Sequence, residues 1–487
     1  MKTYDVAIIG AGVTGTSIAR ELARYKLDVA LLEKEEEPAF GVSKSNSGII
    51  HPGIQNSPGS IKGRLCVQGN LLIRSLSKEL NIDFKESGEL IVAFNEEETG
   101  ELLRLKKEAE VLGVPGLKIV NKTWLRQNEP NLASEVIAAL YAPTAGIISP
   151  YRLVYDLAEN AIRNGIEIFT ETKVENIVYG KPNFEIFSSK GLFRSRYVIN
   201  SAGLFADEVS KMLGIDYFNI RPRKGEEFIL DKKKENLTHR LILPLPSKTS
   251  KGVIIIKTAD GNPMVGPTAE DIEDKEDLST SDSGFNKVLS SARRLVPSIN
   301  DKDIIAYFAG LRPVAGDDFI IKHEDKAPGF INVAGIQSPG LTTSPAIALL
   351  VTNILKDNGL ALRKKFIFRA HRKKTIHLFQ NPLLKAKKLI KKDPSYGDIV
   401  CRCEMVSAKE IRDAVRRGAK TMDGVKFRTR AQAGRCHGSF CTARIMKILA
   451  EERKIPVTSV TKRGKGSEMV KEGRFMLSGA EGAKREV

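Results

Sequence analysis

The stretch YDVAIIGAGVTGTSIARELARYKLDVALLEK, from Tyr4 to Lys34, constrains the fold more tightly than any other part of the chain. It reads as a short buried strand, a glycine-rich turn, an amphipathic helix and a second strand ending in Glu33, which is a βαβ unit. Gly10, Gly12 and Gly15 form Gly-x-Gly-x-x-Gly across the turn. The first glycine permits the tight turn. The second lets the backbone approach a pyrophosphate seated on the helix N-terminus, and the third allows close packing of helix on strand. Glu33 closes the next strand, where a carboxylate can hydrogen-bond a ribose. The unit predicts a nucleotide-binding α/β domain, and by itself does not separate NAD from FAD.

Farther along, Ser43 to Gly63 is rich in Gly, Ser, Asn and Pro and is expected to be a long loop. Helical periodicity returns near Cys66 to Leu80, Glu97 to Leu112 and Tyr151 to Asn164. IEIFTETKVENI (Ile166–Ile177) and YVINSAG (Tyr197–Gly203) read as strands. Arg221 to Gly266 alternates in short strands with turn residues, which predicts an antiparallel sheet inserted in the α/β framework. GFINVAGIQSPGLTTSPAIALLVTNILK is again strand, glycine loop, helix. No internal repeat is found.

A chain of 487 residues is too long for one small core, so two or three domains are expected. The net charge of +18 suits anionic partners: phosphorylated or carboxylated substrates, nucleic acid or acidic lipid. A merely solvated Lys/Arg surface explains it equally well. No apolar run is long enough to cross a bilayer, and the N-terminus lacks the features of a signal peptide. The expectation is a cytoplasmic, reducing location. Arg363 to Lys392 is crowded with Lys and Arg and is expected to be a basic connector with some helix. It lacks a recognition motif, so nucleic acid is not expected as a partner.

Five cysteines occur, and four of them, Cys401, Cys403, Cys436 and Cys441, sit in one short module. Disulfides, a zinc ion and an iron–sulfur cluster are the candidate explanations. A reducing compartment argues against disulfides. A four-thiolate cage suits either zinc or a 2Fe–2S cluster, although zinc sites more often use two-residue spacing within each pair. Both pairs are expected at the mouth of a helix, where N–H groups favour anionic sulfur. Lys426, Arg428, Arg430 and Arg435 crowd the approach to Cys436, either to offset cluster charge or as solvated side chains.

Three stretches carry a resemblance. SKSNSGIIHPG (Ser43–Gly53), VINSAGLFAD (Val198–Asp207) and GLRPVAGDDFII with GFINVAGIQSPGLTTSPA (between Gly310 and Ala346) resemble FAD-contacting segments of the glycine/D-amino-acid oxidase superfamily. The resemblance covers about Met1 to Leu360. Within that superfamily it is nearest to the FAD-dependent glycerol-3-phosphate dehydrogenases of the anaerobic large-subunit type and to the 2-hydroxyglutarate oxidases. It implies a Rossmann-type FAD-binding domain, about residues 1–85, 146–215 and 309–360. An inserted antiparallel-sheet substrate domain would span about 86–145 and 216–308. A basic connector (361–395), a small α-helical cysteine module (396–455) and a tail (456–487) would follow.

The same resemblance implies residue roles. Non-covalent FAD would be held by the glycine fingerprint and Glu33, with Asn46, Ser47 and Gly48 lining the isoalloxazine ring. Val174 would pair with adenine through its backbone, and Gly203 and Gly335 lie in the FAD-contacting segments. The N–H groups of Gly340, Leu341 and Thr342 would face the flavin pyrimidine edge. His51 would take the proton and Arg312 would grip a carboxylate or phosphate, unless Arg312 pairs with Asp317 or Asp318. RPRKGEEFIL (Arg221–Leu230) and PSKTSKGVIIIKT (Pro246–Thr258) would line the same cavity from the inserted sheet, with Lys251 and Lys257 as further candidate anion contacts.

The run from Asp398 to Glu452 resembles the bacterioferritin-associated ferredoxin type of 2Fe–2S domain, with Cys401, Cys403, Cys436 and Cys441 as the ligands. Together the two halves imply a dehydrogenase that oxidises an anionic 2-hydroxy substrate, glycerol 3-phosphate to dihydroxyacetone phosphate, and passes electrons through the cluster to a partner redox subunit. The alternatives are L-2-hydroxyglutarate or an amino acid (proline- or opine-type) as substrate, or a non-catalytic electron-transfer subunit. The connector is a candidate for peripheral contact with anionic lipid at the inner face of the membrane.

Overall fold

The computed structural model describes residues 2–246 and 252–470. They divide into two compact units, Met1–Ile376 and His377–Val487. In the first unit, the strand Thr3–Ile9 is buried almost throughout, so it reads as a continuous apolar run rather than an alternation. Around it lies a parallel sheet in the order Glu167–Phe169, Val29–Leu32, Thr3–Ile9, Gly191–Asn200 and Phe330–Ala334. Val6, Ile8, Ile18, Leu22, Ile347 and Val351 pack helices Val13–Leu22 and Gly340–Asp357 against one face. Ala7, Ile9, Phe184, Ile186 and Phe330 make the core on the other.

The stretch Ile166–Ile177 is two strands rather than one. Glu167–Phe169 runs parallel to Val29–Leu32, whereas Val174–Tyr179 turns away to pair antiparallel with Phe184–Ser188. The chain bends between them because Glu171 has φ +55° and the Thr172 N–H is drawn to the Glu33 carbonyl at 2.7 Å.

A second, nine-stranded sheet is built from two separate stretches. Glu89–Ala93, Lys118–Asn121 and Ala138–Ala142 supply one part, and strands from Arg221–Leu230 through Ile304–Val314 supply the other. Its pairings are antiparallel except at the seam, where Glu89–Ala93 lies parallel to Leu241–Leu243. The α/β architecture with an inserted, largely antiparallel sheet is the one expected.

The longest pairing, Arg221–Leu230 with Ile304–Val314, sets Arg223 opposite Arg312, Gly225 opposite Gly310 and Glu227 opposite Phe308. Opposed residues share a face and neighbours alternate. Phe228, Leu230 and Tyr307 therefore pack toward helix Asp282–Leu295. Arg223, Gly225, Glu227, Gly310 and Arg312 lie on the opposite face. A Cβ on Gly310 would stand 2.4 Å from the Ser45 carbonyl, so this second face abuts the loop around residues 43–48.

The basic stretch 363–392 is not one element. Lys26 donates its N–H to the Arg363 carbonyl, and Arg372 Nε lies 2.9 Å from carboxylate oxygens of both Asp156 and Glu159, so this part lies on the first unit. Helix Leu383–Lys392 belongs to the second unit and buries none of its residues.

The second unit folds around Ile411, Val415, Met422, Val425, Ile445 and Leu449. Helix Ala408–Arg416 starts from a reciprocal cap between Ser407 and Glu410. Helix Met422–Thr429 has no clear apolar stripe in sequence. It begins where the Thr421 hydroxyl accepts the Gly424 N–H at 2.9 Å. Helix Thr442–Arg453 follows the last cysteine. Of the expected tail, residues 471–487 lie outside the described residues.

Gly15 tests the packing of the first helix on its strand. A Cβ there would sit 1.9 Å from the Gly10 carbonyl oxygen. Gly15→Ala is expected to cost about 1–3 kcal/mol in urea denaturation and to lower bound flavin in the purified protein. Unchanged stability and flavin content would show that the close approach is absent.

Candidate active site and cysteine centre

The fingerprint residues gather at the carboxyl ends of the parallel strands, the edge at which open α/β sheets bind ligands. Gly10 has φ +98°, and a Cβ there would meet the Ser201 carbonyl at 2.5 Å. A Cβ on Gly12 would meet only Ser43 Oγ, at 3.2 Å, and one on Gly203 would meet nothing within 4 Å. The cradle is thus tight underneath and open above, as a pyrophosphate requires. Ser43 Oγ accepts the Val13 N–H at 2.9 Å. Glu33 is buried and accepts the N–H groups of Ala11 (2.7 Å) and Glu35 (2.9 Å). Burial raises its pKa, and those two donors oppose the shift. Val174 is buried at the start of its strand, just past the Thr172–Glu33 contact.

In the loop at 43–51, Asn46 accepts the Gly48 N–H at 2.9 Å and donates to the Ser43 carbonyl at 2.8 Å. Ser47 is half-buried between them. Gly48 has φ +74°, and a Cβ would clash with the Ile148 carbonyl at 2.2 Å. The loop is tied to helix Gly340–Asp357 through Thr342, whose hydroxyl accepts the His51 N–H at 2.9 Å. No side chain caps that helix and no acid stands in its first turn, so the N-terminus around Gly340, Leu341 and Thr342 keeps its positive polarity. Gly335, with φ +68°, follows the strand Phe330–Ala334 on the way to it. An open pyrophosphate cradle, a buried acid and an uncapped helix end make a donor set that fits FAD.

His51 is buried, with Nε2 3.4 Å from Ser338 Oγ and its carbonyl accepting Asn70 Nδ2 at 2.9 Å. Ser338 lies in the GIQSPGLT stretch, where the sequence did not single it out. Arg312 does not pair with Asp317 or Asp318. The Asp318 carboxylate instead accepts the N–H groups of Ile61 (2.7 Å) and Lys62 (3.0 Å), capping helix Ile61–Leu80. Arg312 Nη2 donates to the Thr268 carbonyl and Nε reaches the Arg223 carbonyl at 3.4 Å. The guanidinium crosses Gly225, where a Cβ would lie 2.7 Å from Nη2.

Beside Arg312 stands a residue the sequence did not single out. Glu227 is buried, its Oε2 has no hydrogen-bond partner, and burial pushes its pKa up to about 7 against the pull of Arg312. Arg223 is taken up by Asp271, with Nη2 to Oδ2 at 2.9 Å. Lys257 lies 3.6 Å from Glu235, and Lys251 falls outside the described residues.

The four thiols of the second unit are all free and form two pairs. Cys403 Sγ lies 3.5 Å from Cys436 Sγ, and the buried Cys401 and Cys441 interact with each other. Backbone N–H groups, first that of Gly438, lower the pKa of Cys436, and its thiol contact raises that of Cys403. Burial pushes Cys441 up to about 12. Among the described residues, no three His, Cys, Asp or Glu side chains converge as a single-ion site. Four free thiols brought together from two segments are a donor set that fits a 2Fe–2S cluster.

Of the two sequence-adjacent sets, only Cys436 and Cys441 precede a helix directly, with Cys441 at the N-cap of Thr442–Arg453. Cys401 ends the short strand Ile399–Cys401 and Cys403 lies in the turn after it. Gly434 makes the approach possible, since a Cβ there would sit 2.4 Å from Cys403 Cβ. Of the four basic residues near Cys436, Arg428 is buried on the Gly424 carbonyl and Arg430 lies 3.7 Å from Glu404, so they serve the fold.

Residues 5–354 match the family model of FAD dependent oxidoreductases, and residues 399–451 match the BFD-like [2Fe-2S] binding domain. The chain is 42% identical over 95% of its length to a glycerol 3-phosphate dehydrogenase of Caloramator mitchellensis, covering 97% of that protein. An L-2-hydroxyglutarate dehydrogenase of Indibacter alkaliphilus is 29% identical over 71% of this chain and 96% of its own length. Among solved structures, dithionite-reduced L-α-glycerophosphate oxidase from Mycoplasma pneumoniae with FAD bound superposes with a TM-score of 0.73 at 31% identity, covering 76% of this chain and 99% of that one.

Two outcomes follow. Glu227 ionises in the unfolded chain above its ordinary value of 4.5 and in the folded protein only above about 7. Its presence therefore leaves stability intact below pH ~4.5 and erodes it as pH rises to ~7, with no further loss beyond. The advantage of Glu227→Gln in urea denaturation should grow by about 3 kcal/mol across that window, and a constant difference would contradict it. Cys436→Ser should remove the brown iron–sulfur absorbance and leave the flavin bands. Retention of both would move the cluster elsewhere.

Proposed function

The chain belongs to the FAD-dependent oxidoreductase family, and from that premise we propose that it is a glycerol-3-phosphate dehydrogenase passing electrons through its 2Fe–2S domain to a partner. The observation that carries the reading is the Arg312 guanidinium, laid over Gly225 on the sheet face that meets the loop at 43–48. Similarity to the Caloramator dehydrogenase along both units supports it, whereas the hydroxyglutarate relative covers a smaller share of the chain.

When bound, FAD supplies a two-electron acceptor and the cluster a one-electron carrier. Arg312 holds the phosphate of the substrate, because a guanidinium fork matches an oxyanion. His51 accepts the proton of the hydroxyl being oxidised, and Ser338 Oγ, 3.4 Å from Nε2, orients the ring. The N-terminus of Gly340–Asp357 places its N–H groups and dipole where negative charge develops. Cys401, Cys403, Cys436 and Cys441 hold the cluster.

A hetero-oligomer with an electron-accepting redox subunit completes the route. Helix Leu383–Lys392, with Leu383 and Leu384 exposed among five lysines, suits peripheral contact with anionic lipid on the cytoplasmic side.

Anaerobic mixing of the purified protein with glycerol 3-phosphate should bleach the flavin and reduce the cluster. L-2-hydroxyglutarate and proline should act far more slowly. Bleaching by one of those two instead would transfer the assignment to it. Arg312→Ala should raise KM, and His51→Gln should lower kcat by about 10²–10⁴-fold, with little effect on flavin binding. An unchanged KM in Arg312→Ala would remove that residue as the anchor, and no flavin bleaching by any of the three substrates would favour a non-catalytic redox subunit.

A further inference from the structure

Glu226 and Glu227 are adjacent on one strand and both buried, yet they meet opposite fates. The Glu226 carboxylate accepts the Ser281 N–H and Oγ–H, each at 2.9 Å, and the Tyr307 hydroxyl. It is a structural acid that anchors the start of helix Asp282–Leu295. Glu227 Oε2 is bonded to nothing. An unmet buried polar atom costs about 1–3 kcal/mol, and no part of the fold draws on this one. By strand alternation it lies on the face of Gly225, Gly310 and Arg312. Two glycines keep the space clear. A Cβ on Gly225 would displace Arg312 Nη2, and one on Gly266 would stand 2.9 Å from the Glu227 Cα and Cγ.

We propose that Glu227 is a second residue of the anion site: in its acid form it donates a hydrogen bond to the oxyanion that Arg312 holds, so that binding takes up a proton. This rests on the reading of Arg312 as the substrate anchor. An ionised carboxylate beside a bound anion would repel it, whereas a neutral acid adds a donor to those of the guanidinium, two of whose nitrogens already serve the Arg223 and Thr268 carbonyls. The pKa of about 7 leaves the proton available near neutrality.

The other ionisable groups around the site are few, and His51, the base proposed above, is one of them. From the facing strand comes Arg312, and on its own strand Arg223 is held by Asp271. Strand Pro263–Gly266 brings no charge, and on the next strand Lys257 lies near Glu235. Lys44, in the loop the face abuts, donates to the Phe40 carbonyl.

Sulfate and dihydroxyacetone phosphate serve as probes, titrated calorimetrically into the FAD-loaded protein in buffers of different ionisation enthalpy between pH 6 and 8.5. Sulfate does not itself titrate in this range. The wild type is expected to take up close to one proton per sulfate above pH ~7, and its affinity should fall up to about tenfold per pH unit there. Glu227→Gln, which keeps a donor, should bind without that uptake and with a flat profile above pH ~7. Glu227→Leu should bind about tenfold more weakly while retaining its flavin. In a His51→Gln background, which removes the other titratable group of the site, proton uptake that persists in Glu227→Gln overturns the inference and leaves the substrate reading standing, provided Arg312→Ala abolishes binding. Sulfate affinity unchanged in Arg312→Ala overturns both.

Discussion

The distance of closest approach between helix Val13–Leu22 and strand Thr3–Ile9 governs the first unit. With Gly15 pressed on the Gly10 carbonyl, no side chain fits between them, and the helix N-terminus comes level with the strand's end. That places Glu33, the loop Ser43–Gly48 and Gly203 around one rim. From that rim, Thr342 ties His51 to the uncapped helix end, and Ser45 meets Gly310 on the second sheet. A shift of the helix by one methyl group would be passed to His51 and to the face that carries Arg312, since close-packed interiors transmit rather than absorb such changes.

What could be read from sequence followed from how local each signal was. The βαβ unit was legible because its glycines, apolar runs and terminal acid lie within one short segment and each has a single steric or polar reason. Ile166–Ile177 was misread as one strand because its β-branched and aromatic residues run on with no Gly or Pro to mark a break. The bend comes from a backbone angle at Glu171 and a carbonyl on another strand, and neither leaves a mark on side-chain pattern. Helix Met422–Thr429 was missed for a related reason: its start is set by a Thr cap rather than by an apolar face.

The site divides in the same way. Arg312 was found through its surrounding motif, but the carbonyls of Thr268 and Arg223 that hold it have no signature in sequence, and two acids nearby suggested a pairing that does not form. Glu227 was invisible because its strand is buried on both faces, so two adjacent acids gave no clue to which was satisfied. The cysteines were legible as a set. Their arrangement as two pairs, each joining a cysteine at strand Ile399–Cys401 or its turn to one ahead of helix Thr442–Arg453, depends on Gly434 bringing distant segments together.

The parallel seam between Glu89–Ala93 and Leu241–Leu243 has a consequence for how the protein assembles. Parallel neighbours cannot be joined by a tight turn, and here the connecting chain runs out through the nucleotide-binding layer before it returns. The face that carries Arg312 and Glu227 therefore belongs to a sheet of high contact order, whose loop-closure cost is met only when both contributing stretches have been brought together. Chain topology makes this sheet dependent on segments far apart in sequence, so a polypeptide halted before Leu241 has the glycine-rich start and lacks the strand that closes the seam.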